Sequence, residues 1–154
     1  MKIAFTGAVL AATLTTAAIV SAQRTASPTM EVYKSPTCGC CSKWVEHVQA
    51  AGFTAKVTEM DDASLDALKT KRGIPRTAQS CHTALVGGYV VEGHVPAAEV
   101  HRLLKEKPAV VGIAVGGMPT GSPGMEVAGV PPRTYNVVTF DKQGAVRVYS
   151  TQNK

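Results

Sequence analysis

Alternation of apolar and polar residues marks the first regular element of the chain. It runs over Met30–Ser35 and stops at Pro36, which is the pattern of a strand entering a turn. Apolar residues then recur at helical spacing over Cys41–Ala51, with Gly52 as a stop signal. Alternation returns over Phe53–Glu59. The pattern therefore predicts a strand–helix–strand unit whose two strands pair in parallel.

The middle of the chain predicts a helix, a hairpin and another helix. Asp62–Lys69 has acidic residues in its first turn and a lysine at its end, as a helix dipole favours. Two strand-like runs, Thr83–Val86 and Tyr89–Glu92, flank the pair Gly87-Gly88, which suits a tight turn between antiparallel strands. Pro96–Leu104 begins with proline at the first helical position and continues with apolar residues at helical spacing.

The end of the chain predicts an irregular loop followed by a hairpin. Gly116–Glu126 is too rich in glycine and proline for a regular element, while Tyr135–Phe140 and Ala145–Thr151 read as paired strands. The order of elements resembles the thioredoxin fold. We therefore expect an α/β, thioredoxin-like fold extended by a Gly/Pro/Met-rich loop and a β-hairpin. That fold often keeps a cis-proline before its third strand, and Pro75 is the candidate here.

The amino terminus reads as an export signal. Residues 1–22 combine a positive start at Lys2, an apolar stretch and a small-residue cleavage site at Ala22/Gln23. The alternative is a transmembrane anchor, but several threonines dilute the apolar stretch. We expect cleavage, a periplasmic location, no stable membrane insertion afterwards, and a single domain over residues 23–154.

Cysteines are the chemically informative residues. Cys38, Cys40 and Cys41 lie within four residues at a predicted helix start, and Cys81 follows much later. A Cys-x-x-Cys pair, Cys38 and Cys41, can cycle between dithiol and disulfide, whereas clustered thiolates can hold Cu(I), Zn(II) or an iron-sulfur cluster. Two structural disulfides are a third possibility for an exported chain. The third clustered sulfur favours a metal site, and the predicted strand order brings Cys81 toward it.

Two methionines and one histidine are further candidate ligands. Met118 and Met125 lie in the glycine-rich loop, where no apolar periodicity calls for core packing, and a thioether suits Cu(I). His94 lies on a loop between a strand and a helix, a common place for functional groups. His82 follows Cys81 directly and would point to the opposite face if both residues lay in a strand, which weakens it as a ligand to the same centre.

The remaining features exclude other classes of function. His47 and His101 lie off the apolar stripes of their helices and are expected at the surface. The net charge of +5 is spread along the chain without a basic arm or interleaved aromatic residues, so nucleic acid is not an expected partner. No phosphate-binding glycine motif, serine–histidine triad or paired-carboxylate site stands out in the sequence.

Four segments in the same order resemble the exported CopG-type copper-resistance proteins, a family long described as a domain of unknown function. They are Tyr33–Cys41, Ser80–Ala84, Gly88–Pro96 and Gly117–Glu126. The resemblance implies a thioredoxin-like domain with a cysteine-bridged cluster of more than one copper ion. It implies copper ligation by Cys38, Cys40, Cys41 and Cys81, completed by Met118, Met125 and His94.

The leading hypothesis is therefore an exported copper-binding protein that contributes to copper resistance or homeostasis and interconverts Cu(I) and Cu(II). Whether it turns over as an oxidoreductase stays open. One alternative is a periplasmic thiol-disulfide oxidoreductase in which Cys38 is the catalytic nucleophile and Cys41 the resolving thiol. Another is a passive metallochaperone that hands one copper ion to other periplasmic copper-handling proteins.

Overall fold

A computed structural model describes residues 27–154, so the predicted signal segment lies outside the described residues. The three described helices are α1 (Gly39–Ala50), α2 (Asp62–Lys71) and α3 (Ala97–Glu106), and a short 3₁₀ turn covers Arg76–Ala78. The seven described strands are β1 (Thr29–Lys34), β2 (Thr54–Glu59), β3 (His82–Val86), β4 (Tyr89–Glu92), β5 (Gly112–Ala114), β6 (Tyr135–Phe140) and β7 (Val146–Gln152). Every predicted helix and strand in this part of the chain is present.

All seven strands form one mixed sheet in the order β2-β1-β3-β4-β5-β6-β7. Strands β1 and β2 pair in parallel, from Thr29 opposite Thr54 to Lys34 opposite Glu59. Strand β3 runs antiparallel to both β1 and β4. The predicted parallel unit and the predicted hairpin are therefore both confirmed. The fold is mixed α/β.

Strand β5 was not predicted from the sequence. It has only three residues, Gly112–Ala114, which is too short for a recognisable period of two. It pairs in parallel with β4 and antiparallel with β6. The carboxyl-terminal hairpin is therefore continuous with the rest of the sheet rather than a separate appendage.

The two faces of the sheet have different partners. Ala84 and Val86 of β3 belong to the larger apolar core, together with residues of α1 and α3. Thr83 points the other way and accepts a hydrogen bond from Lys69 of α2. A smaller apolar cluster on this second side includes Phe140. Helices therefore cover both faces, and β3 is buried between them.

Local signals fix the ends of several elements. The Asp61 carboxylate accepts a hydrogen bond from the Ser64 N–H at 2.8 Å and caps α2. Gly87 and Gly88 have φ angles of 55° and 86°, which the tight turn between β3 and β4 requires. Among the described residues no peptide bond is cis, so the suggested cis assignment of Pro75 is wrong. Pro75 instead precedes the 3₁₀ turn with ordinary trans geometry.

Within residues 27–154 no helix is both long and apolar enough to cross a membrane.

The assignment of the core predicts how two methionine substitutions, one at a buried and one at an exposed position, affect stability. Met30 of β1 is fully buried, whereas Met118 is 53% exposed. We expect Met30→Ala to lower the free energy of unfolding by about 2–5 kcal/mol, because it leaves a cavity in the larger core. Met118→Ala should change it by less than about 0.5 kcal/mol. Urea unfolding of the metal-free protein measures both, and equal losses would contradict the assigned core.

Candidate functional site

Sheet pairing brings the four cysteines together. Because β1 and β3 are antiparallel, the carboxyl end of β1 and the amino end of β3 meet, with Lys34 opposite His82. The chain leaves β1 into Cys38–Cys41 at the start of α1, and Cys81 lies just before β3. The four sulfur atoms lie within 4.8 Å of one another. The predicted proximity of Cys81 to the cysteine cluster is confirmed.

Two of the four cysteines are bridged and two are free. Cys38 and Cys41 form a disulfide. Cys40 and Cys81 are free, half-buried thiols, and Cys40 Sγ lies 3.5 Å from Cys38 Sγ. The possibility of two structural disulfides is therefore wrong. A redox-capable pair and two free thiols share one cluster.

Burial keeps Cys81 protonated in the metal-free protein. Desolvation, and after it the neighbouring Cys40, together raise the pKa of the Cys81 thiol to about 11. The thiol therefore loses its proton readily only when a cation compensates the buried negative charge. Metal ligation by a thiol requires this deprotonation. Such a site suits a cation that binds thiolate strongly.

His94 presents an unprotonated nitrogen to the Cys81 thiol, from which it accepts a hydrogen bond in the metal-free protein. Its Nδ1 lies 2.8 Å from the carbonyl oxygen of Pro123, which can only accept, so Nδ1 carries the proton. In the neutral ring Nε2 is then unprotonated, and it lies 3.0 Å from Cys81 Sγ. Burial lowers the pKa of His94, which favours the neutral ring. This is the arrangement of a metal-ligating histidine whose other nitrogen is held by a carbonyl.

His82 does not point away from the site, because the condition for that expectation, Cys81 and His82 in one strand, is not met. Its Nδ1 lies 3.5 Å from Cys81 Sγ, and Cys81, His82 and His94 form a second group of closely spaced donor atoms. The reason is that Cys81 lies in a bend before β3, where the alternation of a strand does not yet apply. The ring is fully buried beside Trp44, with 4.3 Å between ring centroids. Burial, with His94 nearby, holds the pKa of His82 well below its ordinary value.

The glycine-rich loop covers the cysteine cluster. Gly117 accepts a hydrogen bond from the Ser80 hydroxyl, and its N–H donates to Gln79. At Gly124 an added side-chain carbon would lie 2.7 Å from the carbonyl oxygen of Cys40 and 2.9 Å from the Trp44 nitrogen. The loop backbone therefore packs directly on the first turn of α1, which only glycine allows at this position.

The two predicted methionine ligands differ in the exposure of their side chains. Met125 is half-buried and directly follows Gly124, the residue that packs on α1. Met118 follows Gly117 but leaves about half of its side chain exposed. Ligation by either methionine stays a prediction.

The other two histidines support the scaffold. His101 is exposed, as predicted, and lies 2.9 Å from the carbonyl oxygen of Ala51. His47 is half-buried, and its Nε2 accepts the Ala97 N–H at 3.0 Å, so it caps the start of α3. Trp44, one turn earlier in α1, donates from Nε1 to the carbonyl oxygen of Val95 at 2.8 Å. Two residues of α1 thus hold the segment that follows His94.

A buried ion pair beneath the site was not foreseen from the sequence. Lys69 Nζ of α2 lies 2.6 Å from Glu92 Oε1 of β4, and the two side chains are 3% and 0% exposed. The signal available in the sequence was a glutamate ending an otherwise apolar strand, which can also mark a strand end at the surface. Beside this pair a cavity of about 310 Å³ opens between α2 and the cysteines, lined among others by Cys38, Cys81 and Asp66. It connects the sulfur cluster to solvent.

Comparisons with known proteins identify relatives. A family model described as "Protein of unknown function, DUF411" matches residues 78–125. A solved structure named "Copper resistance protein copG", form 2, is 40% identical, with a TM-score of 0.72, over 80% of this chain and 97% of that chain. Form 1 is 39% identical, with a TM-score of 0.74, over 82% and 98% of the two chains. No curated protein matches the chain.

The observed pairing makes a prediction about thiol accessibility. In the oxidised protein, unfolded in denaturant so that burial no longer protects Cys81, we expect an alkylating reagent to modify two cysteines, Cys40 and Cys81, because Cys38 and Cys41 are bridged. After reduction, four cysteines should be modified. Peptide mapping by mass spectrometry reads the positions and the number of adducts. Modification of Cys38 before reduction, or a bridge between Cys40 and Cys81, would contradict the pairing.

Proposed function

Because the chain belongs to the CopG family of copper-resistance proteins, we propose that it binds copper at the cluster formed by Cys38, Cys40, Cys41 and Cys81. The observation that carries this proposal is the convergence of four sulfur atoms within 4.8 Å at one end of the sheet. Thiolates are the ligands that Cu(I) prefers. Copper is here the cargo or substrate of the protein.

The neighbouring donors support copper over zinc. His94 faces Cys81 with an unprotonated nitrogen, and we assign it as a ligand. Met125, and more peripherally Met118, would add thioethers from the loop that covers the cluster. A thioether is a soft, neutral donor that suits Cu(I) and contributes little to zinc sites. The mixed Cys/Met/His donor set therefore favours copper.

Two overlapping groups of donors support more than one copper ion. The four cysteines form one group, and Cys81, His82 and His94 form the other. Cys81 belongs to both, so its sulfur would bridge two ions. His82 Nε2 is the one buried side-chain nitrogen or oxygen among residues 27–154 without a hydrogen-bond partner. The other ring nitrogen, Nδ1, lies 3.5 Å from Cys81 Sγ and adds a nitrogen donor beside the cluster that the sequence did not foresee.

When it is reduced to two thiols, the Cys38/Cys41 pair gives the site a source of electrons. Two thiols can reduce two Cu(II) ions, giving two Cu(I) ions, the Cys38–Cys41 disulfide and two protons. A thiol reductant, taken up through the cavity beside Cys38, would restore the dithiol. The protein would in this way interconvert copper oxidation states. We propose an oxidoreductase role of this kind in copper resistance.

The wider setting follows from the sequence. We propose that residues 1–22 are an export signal, that residues 23–154 form one periplasmic domain, and that partners are other periplasmic copper-handling proteins rather than nucleic acid. The strand order β2-β1-β3-β4, with cysteines at the start of α1, supports a thioredoxin-like relationship for this part of the sheet.

One observation favours a second candidate function. The Cys38–Cys41 disulfide lies at a helix start, and Cys38 lines the solvent-connected cavity. A thiol from another protein could attack there, as in a thiol-disulfide oxidoreductase. This function would need neither Cys40 nor Cys81.

Removing the two free thiols separates these functions. We expect the reduced, anaerobic protein to bind more than one Cu(I) per chain, and Cys40→Ser/Cys81→Ser to lose most of this capacity, because only the Cys38/Cys41 pair remains. Metal analysis and competition with a Cu(I) chelator measure the loss. Disulfide exchange by Cys38 and Cys41 should persist in the variant. Full copper binding by the variant would refute the proposed site.

The covering loop can be tested with two glycines of similar backbone conformation. Gly124 and Gly129 have φ angles of 84° and 76°, but an added side-chain carbon meets other atoms only at Gly124. We expect Gly124→Ala to lift the loop from α1 and weaken Cu(I) binding by roughly 10-fold or more, as changes around metal ligands do. Gly129→Ala should bind copper like the parent protein. Equal affinities in a chelator competition would show that the loop does not contribute.

A further inference from the structure

The buried Lys69–Glu92 pair lies directly beneath the segment that carries Cys81. Its atoms are 2.6 Å apart and almost fully buried. A buried ion pair adds little net stability, because desolvation of both charges offsets their attraction, and a well-packed apolar pair can replace it without loss. Stability alone therefore does not account for the pair.

The Glu92 carboxylate makes three hydrogen bonds. Oε1 accepts from Lys69 Nζ and, at 2.7 Å, from the Ser80 N–H. Oε2 accepts from the Thr83 hydroxyl at 2.6 Å. Lys69 Nζ also lies 3.0 Å from the Thr83 oxygen, which closes the network. The carboxylate is thereby fixed in place on strand β4.

The Ser80 N–H has its hydrogen-bond acceptor in this carboxylate. Ser80 lies between the 3₁₀ turn and β3, outside any helix or strand, so the sheet supplies no acceptor for it. Glu92 supplies a charged acceptor instead, and hydrogen bonds to charged groups are the stronger ones. Because Cys81 is the next residue, the position of its sulfur follows from the position of Ser80.

Two further contacts hold Ser80 against the same strand end. Its hydroxyl donates to the carbonyl oxygen of Gly117. At Gly93, whose φ is 71°, an added side-chain carbon would lie 2.5 Å from Ser80 Cβ. Three consecutive residues thus act on this segment. Glu92 accepts the hydrogen bond from Ser80, Gly93 leaves space for the Ser80 side chain, and His94 places its imidazole against Cys81.

We propose that Glu92 is a positioning residue for the metal site: its carboxylate, held by Lys69 and Thr83, fixes the Ser80 N–H and so places Cys81 Sγ against His94 Nε2. The consequence for copper rests on the function proposed above. The positioning of Cys81 does not depend on that function, because the metal-free chain already makes all of the contacts that position Cys81.

Two double variants separate the effect of the Ser80–Glu92 hydrogen bond from the effect of the Lys69 and Glu92 charges. Lys69→Met/Glu92→Gln removes both charges but keeps a carbonyl oxygen that can accept from Ser80. Lys69→Met/Glu92→Leu removes the same charges and the acceptor. If the leucine variant does not fold, Lys69→Met/Glu92→Ala replaces it, because water can then satisfy Ser80 and Thr83 without fixing the segment.

The measurements are Cu(I) affinity by chelator competition, the absorption spectrum of the copper-loaded protein, amide hydrogen exchange at Ser80, and the alkylation rate of Cys81 relative to Cys40 in the oxidised protein. We expect the glutamine variant to resemble the parent in all four. The variant without an acceptor should bind Cu(I) about 10–100-fold more weakly, with a changed spectrum. Its Ser80 amide should exchange faster, and the relative alkylation rate of Cys81 should change.

The outcomes separate the two proposals. If the parent binds copper and both double variants bind it equally, with equal spectra, the positioning role of Glu92 is overturned. If the parent binds no copper, the proposed function fails, and Cys81 alkylation decides the positioning role. A rate that differs between the two double variants supports it, and a rate that is the same in both overturns it.

Discussion

The antiparallel pairing of β1 with β3 is the constraint on which the site depends. It sets Lys34 opposite His82, and both cysteine-bearing segments lie just beyond this last pair. The side chains of a strand alternate between faces, so a register shift of one residue would turn His82 away from Trp44 and turn Thr83 away from Lys69. The apolar residues of β1 and β3 that pack against α1 fix the register, and in doing so they fix the sulfur cluster.

Given this strand register, the site is held together by hydrogen bonds to backbone groups as much as by contacts between side chains. The carbonyl oxygen of Pro123 orients His94, and the carbonyl oxygen of Gly117 holds Ser80. The Ala97 N–H donates a hydrogen bond to His47 Nε2. Backbone groups of a packed chain have few alternative positions, so they hold the donor atoms in place before any ion arrives. Preorganisation of this kind reduces the entropy lost when a ligand binds.

Much of this arrangement could be predicted from the sequence, and the failures have physical causes. Strong local patterns gave the strand–helix–strand unit, both hairpins and all three helices in their correct order, and the crowding of Cys38, Cys40 and Cys41 pointed to the site. Strand β5 was missed because three residues carry no periodicity. The orientation of His82 depended on whether Cys81 shares its strand, and the bend at Cys81 that decides this has no signal in the sequence. The pairing of Lys69 with Glu92 depends on how α2 crosses the sheet, which no local pattern encodes.

The position of the covering loop between β5 and β6 has a consequence for the time course of folding. Cys38–Cys41 lie early in the chain, whereas their neighbours Cys81, His94 and Pro123 follow much later, and the covering loop connects β5 to β6, which pair with each other. Contacts between residues far apart in sequence form slowly, because the intervening chain must first be closed. We therefore expect the early cysteines to meet their native neighbours late in folding. The group of sulfur and imidazole donors described above is complete only when the second half of the sheet has folded.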